Sequence, residues 1–509
     1  MSDLSLDTLR HAAKRLHHAH DAREPWALER LKQRPPRKGG QALVRADFLH
    51  VVALEHGFES WPRLKHAAET TGLDRAVKQQ RLKIALFHGQ NAAVQALLAD
   101  TPGLADGLFG LQCALYDRAA VKAALARDPG LAVQRFGPRS AILHLAFSRW
   151  IKARPDLEPD MLAVAELLLA HGADVNDGYP FQPGDDHLLS ALYGAIGHAD
   201  NMVLGGWLLD HGANPNDGEA LYHATELGHH EGLKMLLAAG ADPRGTNALL
   251  RAMDFHDHVA VQMLLDHGAR ADDFNAKEVG GEAPYVMPAL HQAARRGSDA
   301  RMIEILLAAG ADPAVRYKGA SAYGFAKVHG NTALIRAIEA RGVQVDLSPE
   351  ETLMARAAEG LDSPGQYIDP AKLPEAYRHL IREILHLPGR LPQIRALVAL
   401  GLPYDQPDAQ GVTPVQIAGW EGLPEVMAYF LKLRPDLSHV NGYGGTLLST
   451  ILHGADNNPD RAGRDYVGCL RLALDAGVAL PSSALRASGR KDVTDFLQDW
   501  AGARPGQVV

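Results

Sequence analysis

Leu167-Leu-Leu-Ala-His-Gly-Ala-Asp174 carries an apolar helix end into a glycine, a small residue and an acid. The same order returns in Leu208-Leu-Asp-His-Gly-Ala-Asn214 and Leu306-Leu-Ala-Ala-Gly-Ala-Asp312. Eight such turns, at Gly172, Gly212, Gly240, Gly268, Gly310, Gly342, Gly401 and Gly477, lie 40, 28, 28, 42, 32, 59 and 76 residues apart. Glycine closes each unit because the residue just past a helix end commonly turns left-handed, where any β-carbon is strained. One helix pair cannot bury its own apolar face, so neighbouring units must stack and share a continuous core. Proline ends the helix in further units, at Asp100-Thr-Pro-Gly-Leu104, Asp128-Pro-Gly-Leu131 and Arg434-Pro-Asp-Leu437. The expected fold class is all-α, a solenoid of about eleven helix-turn-helix units with a period near 33 residues.

A second short helix precedes each turn, as in Ala220-Leu-Tyr-His-Ala-Thr-Glu-Leu-Gly228, Ala289-Leu-His-Gln-Ala-Ala-Arg-Arg-Gly297 and Thr413-Pro-Val-Gln-Ile-Ala-Gly-Trp-Glu-Gly422. These segments resemble the Thr-Pro-Leu-His-x-Ala-Ala helix of ankyrin repeats, and Leu-Leu-x-x-Gly-Ala-Asp resembles the turn of the same family. The resemblance runs over roughly residues 80 to 500. Residues 1–76 do not follow the repeat. They hold two amphipathic helical patterns, Leu9, Ala12, Ala13, Leu16, Ala19 and Phe48, Leu49, Val52, Ala53, His56, followed by Glu55-His-Gly-Phe-Glu-Ser-Trp-Pro-Arg-Leu-Lys65. Ser60 and Pro62 suit the start of a helix. The segment is similar to a Gly-Phe-x-Ser-Trp-Pro-x-Leu-Lys leader that precedes ankyrin arrays in bacterial proteins, which implies a helical N-terminal cap. The expected organisation is a cap at 1–76, an array at 77–360 with long fingers at 176–187 and 272–288, an insertion at 361–374, further repeats and a capping helix at 375–500, and a disordered tail at 501–509.

Composition narrows the class of partner. The net charge of −8 disfavours general nucleic-acid binding, although residues 1–80 carry 14 Lys and Arg against 10 Asp and Glu, concentrated in Arg30-Leu-Lys-Gln-Arg-Pro-Pro-Arg-Lys38. The two cysteines, Cys113 and Cys469, sit in apolar helical stretches and offer no disulfide framework, which fits a reducing cytoplasm. The sequence shows no secretory pattern at its start and no membrane-spanning stretch. Phosphate-cradling, dinucleotide-binding, zinc-protease and nucleophile-elbow motifs are missing, so an enzyme is the lesser expectation and no cofactor is expected. Histidines cluster at His17-His18-Ala-His20, His229-His230 and His256-Asp-His258. His17 and His20 share a helical face, but without a third ligand in view no metal is assigned.

The finger insertions, Asn176-Asp-Gly-Tyr-Pro-Phe-Gln-Pro-Gly-Asp-Asp-His187 and the Gly- and Pro-rich run from Asp272 to Pro288, flank two repeats of only 28 residues. Fingers leave one edge of a solenoid, so these are expected to wall a cleft. The ankyrin resemblance places Gly197-His198, Glu226-Leu227, Asp254-Phe255 and Arg295-Arg296 on its concave floor, below Tyr179, Asp185, Asp186, His187 and Tyr285. It likewise places Trp420, Glu421 and His453 in the groove farther on. His144 and His291 fall at the family's Leu-His position, where a structural hydrogen bond is implied. The expected function is a scaffold that binds another protein through groove and fingers. The alternative is small-molecule binding or catalysis, with a small polar ligand in the cleft and His198, Glu226 and Asp254 as an acid–base set.

Overall fold

The computed structural model describes all residues except 1–5, 34–42, 44, 59, 62–63, 66–67, 69–72, 182–183, 185–186, 276–285, 344, 459 and 487. Among the described residues eleven helix pairs follow one another between Arg75 and Asp475, with one further helix among the three that lie between Pro349 and Ala399. Within a pair the two helices have different work to do. Arg75–His88, of 14 residues, buries Leu82, Ala85 and Leu86, but in most pairs the first is short and largely buried, as in Ala289–Arg296, which buries Ala289, Leu290, His291, Gln292, Ala293 and Ala294. Small side chains let it lie close to the first helices before and after it. The second buries one stripe, as Met302, Ile303 and Leu306 do in Ala300–Ala308, and leaves its other face to water.

The eight turn glycines adopt φ between 69° and 99°. At seven of them the next residue's N–H returns to a helix carbonyl, for example Ala173 to Leu168 and Ala311 to Leu306, both 3.0 Å. Two-residue hairpins at Arg135–Phe136 with Arg139–Ser140 and at Arg316–Tyr317 with Ala320–Ser321, and a three-residue one at Gly178–Pro180 with Leu188–Ser190, form the finger bases. Among the described residues the two 28-residue repeats carry no such ladder. Asparagine joins successive turns instead. Asn176 Nδ2 donates to Gly212 O while its Oδ1 accepts from Asn214 N, Asn216 holds Gly240 O and Asp242 N in the same way, and Asn247 holds both backbone groups of Asn275.

Contacts among the described residues divide the chain into two compact units that part between Asp242 and Pro243. The division falls in the short repeats. The insertion 361–374 lies inside the second unit and is tied down: Ile368 and Leu373 are buried, Ile368 N donates to Leu400 O, and the adjoining Tyr377 hydroxyl reaches Glu351 at 2.6 Å. The head has a core of its own, built from Leu9, Leu16, Phe48, Val51, Val52 and Leu64, against which Phe58 and Trp61 pack. His17 and His20 lay their rings against Phe48, at 4.3 and 5.4 Å. Arg30, the first residue of the basic run, forms a double hydrogen bond to Glu55; the stretch 34–38 falls outside the described residues. Residues 501–509, expected to be disordered, continue the last helix to Ala503. They then return to bond Val509 N to Leu480 O and Ser482 N to Val509 O. No helix among the described residues is long and apolar enough to cross a membrane.

Candidate functional site

A concavity of about 770 Å³ lies in the second unit, where the helices Pro414–Trp420 and Leu447–Asn457 run side by side. Local sequence builds its walls. Thr413 and Gln416 form a reciprocal cap, Thr413 Oγ1 accepting from Gln416 N and Gln416 Oε1 from Thr413 N. The Gln416 amide then donates to His439 O and Gly445 O, holding the loop Asn441–Gly445 beside the helix. Glycine permits the close approach: a β-carbon on Gly454 would strike the Trp420 backbone, and one on Gly419 would strike Ile451. Ile417 and Val412 supply apolar lining, Ser449, Thr450 and Asn441 polar lining, and Trp420, Tyr443 and His453 the rings. Trp420 and His453 lie 5.1 Å apart, and Tyr443 is 79% exposed. The backbone of Trp420 is pinned from below, its carbonyl accepting from Asn458 Nδ2 and the Tyr466 hydroxyl. Glu421 is held by Asn458 and Arg464 and does not line the groove; burial pushes its carboxyl above the ordinary range.

The first unit gathers a different set. Glu219, with no exposed surface, lies between His187 and His223: His187 Nε2 contacts one carboxylate oxygen, and His223 Nε2 stands 3.2 Å from the other. His223 Nδ1 meets Glu226 Oε2 at 3.0 Å, and the ring packs on Tyr193. Burial opposes the charge on His223, but the carboxylates of Glu219 and Glu226 facing its two ring nitrogens outweigh it and hold its pKa up at about 9. The imidazole is therefore protonated at neutral pH, a counter-ion to buried carboxylates rather than a base. Beside the cluster, at the finger base, is a cavity of about 390 Å³ lined by Val175, Gly178, Leu188, Ser190, Asn214 and Asp217, among others; neither His198 nor Glu226 belongs to its lining.

The other expected floor residues are committed to neighbours. His198 ends a helix that widens into a π turn, with Ala199 N bonding Gly194 O. Its Nε2 donates to Phe87 O at 2.8 Å and its ring packs on Phe87 and Phe147, so burial, with Arg149 beside it, drives its pKa down to about 3. Tyr179 is buried against Phe147, and Arg139 lies over the rings of Phe87, Phe147 and Tyr179 at 4.3 to 5.0 Å. In the second unit, Asp254 accepts from Arg296 Nε at 2.6 Å and Gln292 Nε2 at 2.5 Å, with Arg251 and Arg295 at 3.5 and 3.9 Å. Phe255 is half-exposed under Arg251. Asp185, Asp186 and Tyr285 fall outside the described residues. His144 and His291 each bond a finger carbonyl, Phe136 O and Ala320 O.

Glu219 and His223 escaped the sequence reading. Their i,i+4 spacing across the start of the helix Ala220–Ala224 was the available signal.

The family model described as Ankyrin repeat matches residues 287–318, the unit that contains Ala289–Arg296 and its following turn. The fold is an ankyrin-repeat solenoid. Among solved structures, the human ASB11 ankyrin repeat domain is 20% identical, covering 47% of this chain and 99% of that one at a TM-score of 0.34. The ankyrin repeat domain of Bcl-3 is 20% identical, covering 45% and 98% at a TM-score of 0.33. No curated protein sequence matches the chain. Ankyrin repeats are in general modules of protein–protein interaction.

Proposed function

We propose that this protein is an interaction scaffold, and that a protein segment binds it in the groove around Trp420. The observation that carries this reading is the groove itself. A tryptophan whose backbone is fixed by Asn458 and Tyr466 stands over apolar lining, with an exposed Tyr443 at the rim. A rigid aromatic anchor with polar groups around it is the usual make-up of a binding hot spot. Asn441, Ser449 and Thr450 offer hydrogen bonds to a partner's backbone. Work in a reducing compartment agrees with the two free, buried thiols, of which burial pushes Cys469 up to about 12.

The test is a photo-crosslinking side chain at Tyr443 in the full chain, with capture of polypeptide read before and after Trp420→Ala. The variant is expected to lose about 2 kcal/mol of binding, roughly 30-fold in affinity, with helical circular dichroism unchanged. Undiminished capture would remove Trp420 from the interface. The catalytic alternative is tested separately by replacing His198, Glu226 and Asp254 with Asn, Gln and Asn. A phenotype from that triple variant with capture intact would favour chemistry over scaffolding.

A further inference from the structure

His256-Asp-His258 lies at the turn between the helices Ala248–Asp254 and His258–Asp266, and Asp299 lies at the same turn of the next repeat, capping Ala300–Ala308. Stacking brings the two turns together. His258 Nε2 stands 2.9 Å from Asp299 Oδ1 and His256 Nε2 stands 3.5 Å from Asp299 Oδ2. One ligand atom from each of the three residues lies within 4.8 Å of the others, and among the described residues this is the one such trio. The imidazoles are nearly perpendicular, at 80°, with centroids 5.1 Å apart. We propose that His256, His258 and Asp299 bind a first-row divalent metal ion such as zinc.

The spacing suits the ion. Zinc bonds of about 2.0–2.1 Å put tetrahedral ligand atoms about 3.3 Å apart, a spacing within reach of three ligand atoms that already lie within 4.8 Å of one another. The carboxylate is already oriented, because Asp299 Oδ1 also accepts from Met302 N at 2.8 Å. Such an outer hydrogen bond fixes a ligand's rotamer before the ion arrives. Two imidazoles and one carboxylate are a donor set for zinc and its first-row neighbours, and leave a position for water or for a donor from a partner. The two helix N-termini oppose a cation by about 1 kcal/mol or less each.

Backbone conformation supplies a second observation. His256 has φ 57°, in the left-handed region, at a turn where other repeats place Gly89, Gly297, Gly330 and Gly422 at 62° to 70°, and where Tyr116 and Asp200 also carry a side chain at 62° and 52°. A β-carbon there costs about 1–2 kcal/mol. Strain of this kind gathers where a side chain must be aimed. One repeat earlier His229 Nε2 pairs with Asp200 of the preceding turn at 2.8 Å with a single imidazole, and at the glycine turns His171, His211 and His267 each bond a carbonyl one turn back in their own helix through Nδ1.

The full-length chain, stripped with a chelator, is titrated with zinc chloride by calorimetry. Cobalt chloride gives an independent readout in its visible absorption. Wild type is expected to bind one equivalent more than His256→Gly, which removes a ligand and relaxes the turn. Asp299→Asn, which keeps a good helix cap, is expected to weaken that equivalent at least about tenfold. Cobalt at the site is expected to show the intense bands of four- or five-coordination, absent in His256→Gly. Equal stoichiometry and affinity in wild type and both variants would assign the bound ions to other histidines and overturn the proposal. So would failure of wild type to bind either ion.

Discussion

Two groups of imidazoles and carboxylates occupy this chain, and burial sets them apart. Glu219 has no exposed surface between His187 and His223, whereas His256, His258 and Asp299 keep side-chain exposures of 44, 17 and 50%. In the closed group each charge has a partner because it has no water, and the result is a fixed element of stability. In the open group water compensates the charges, so the pairing contributes little and lone pairs remain for an incoming ligand. The same residue types thus serve architecture in one unit and offer chemistry in the other.

The sharpest way to break the comparison is to remove the central carboxylate. Glu219→Ala leaves His223 charged and buried, and is expected to cost about 3–5 kcal/mol, read as a lower urea midpoint for the first unit. A loss under about 1 kcal/mol, the range of exposed pairs, would mean that the closed group is not a closed group.

A titration sharpens it next. The folded pKa of His223, about 9, lies above the ordinary imidazole value near 6.5. Its contribution is complete below about pH 6.5 and is lost as pH rises through 9. His198 at about 3, and His144 and His291 at about 4, are shifted the other way, chiefly by burial. Their contribution is complete above about pH 6.5 and is lost as pH falls through their folded values. Melting temperature against pH should therefore peak between these flanks, and His223→Gln should flatten the alkaline flank alone. An unaltered alkaline flank would show that His223 is not held protonated.

Asp299→Asn is the counterpart of Glu219→Ala in the open group. Asparagine keeps the cap to Met302, and the change is expected to cost less than about 1 kcal/mol. A loss as large as that of Glu219→Ala would erase the distinction between the groups. The smallest effect expected is a gain. His256→Gly should raise the stability of the metal-free chain by up to about 1 kcal/mol, because the left-handed turn no longer carries a β-carbon. A loss would mean that the His256 side chain supports the apo fold.

The repeat was legible because a turn glycine reports its own backbone: Gly172, Gly212 and the other six all take the left-handed conformation they predict. Trp420 and His453 line one concavity, and a position within a repeat fixes which surface a residue joins. His198 occupied such a position too, but Phe87, which covers it, is 111 residues away and belongs to another repeat. Covering of that kind is tertiary and leaves no local signal. Asp299 stands 41 residues from His258 and was readable only by aligning turn with turn, which pairs it with the His-Asp-His of the preceding unit. The tail at 501–509 was read as disordered because composition describes what a segment prefers alone, not the backbone bonds that Leu480 and Ser482 offer to Val509.

The asparagine clasps between successive turns have a mechanical consequence. Asn176, Asn216 and Asn247 each grip the turn of the following repeat and nothing beyond it. Fasteners arranged in series bear a pull one at a time. Stretched from its ends, either unit would lengthen by steps of one repeat, roughly 100 Å of extended chain for some 30 residues, with each step delayed until an amide lets go of two backbone groups at once. A molecule built this way absorbs tension by yielding in stages, and keeps the repeats behind each intact clasp folded while it does so.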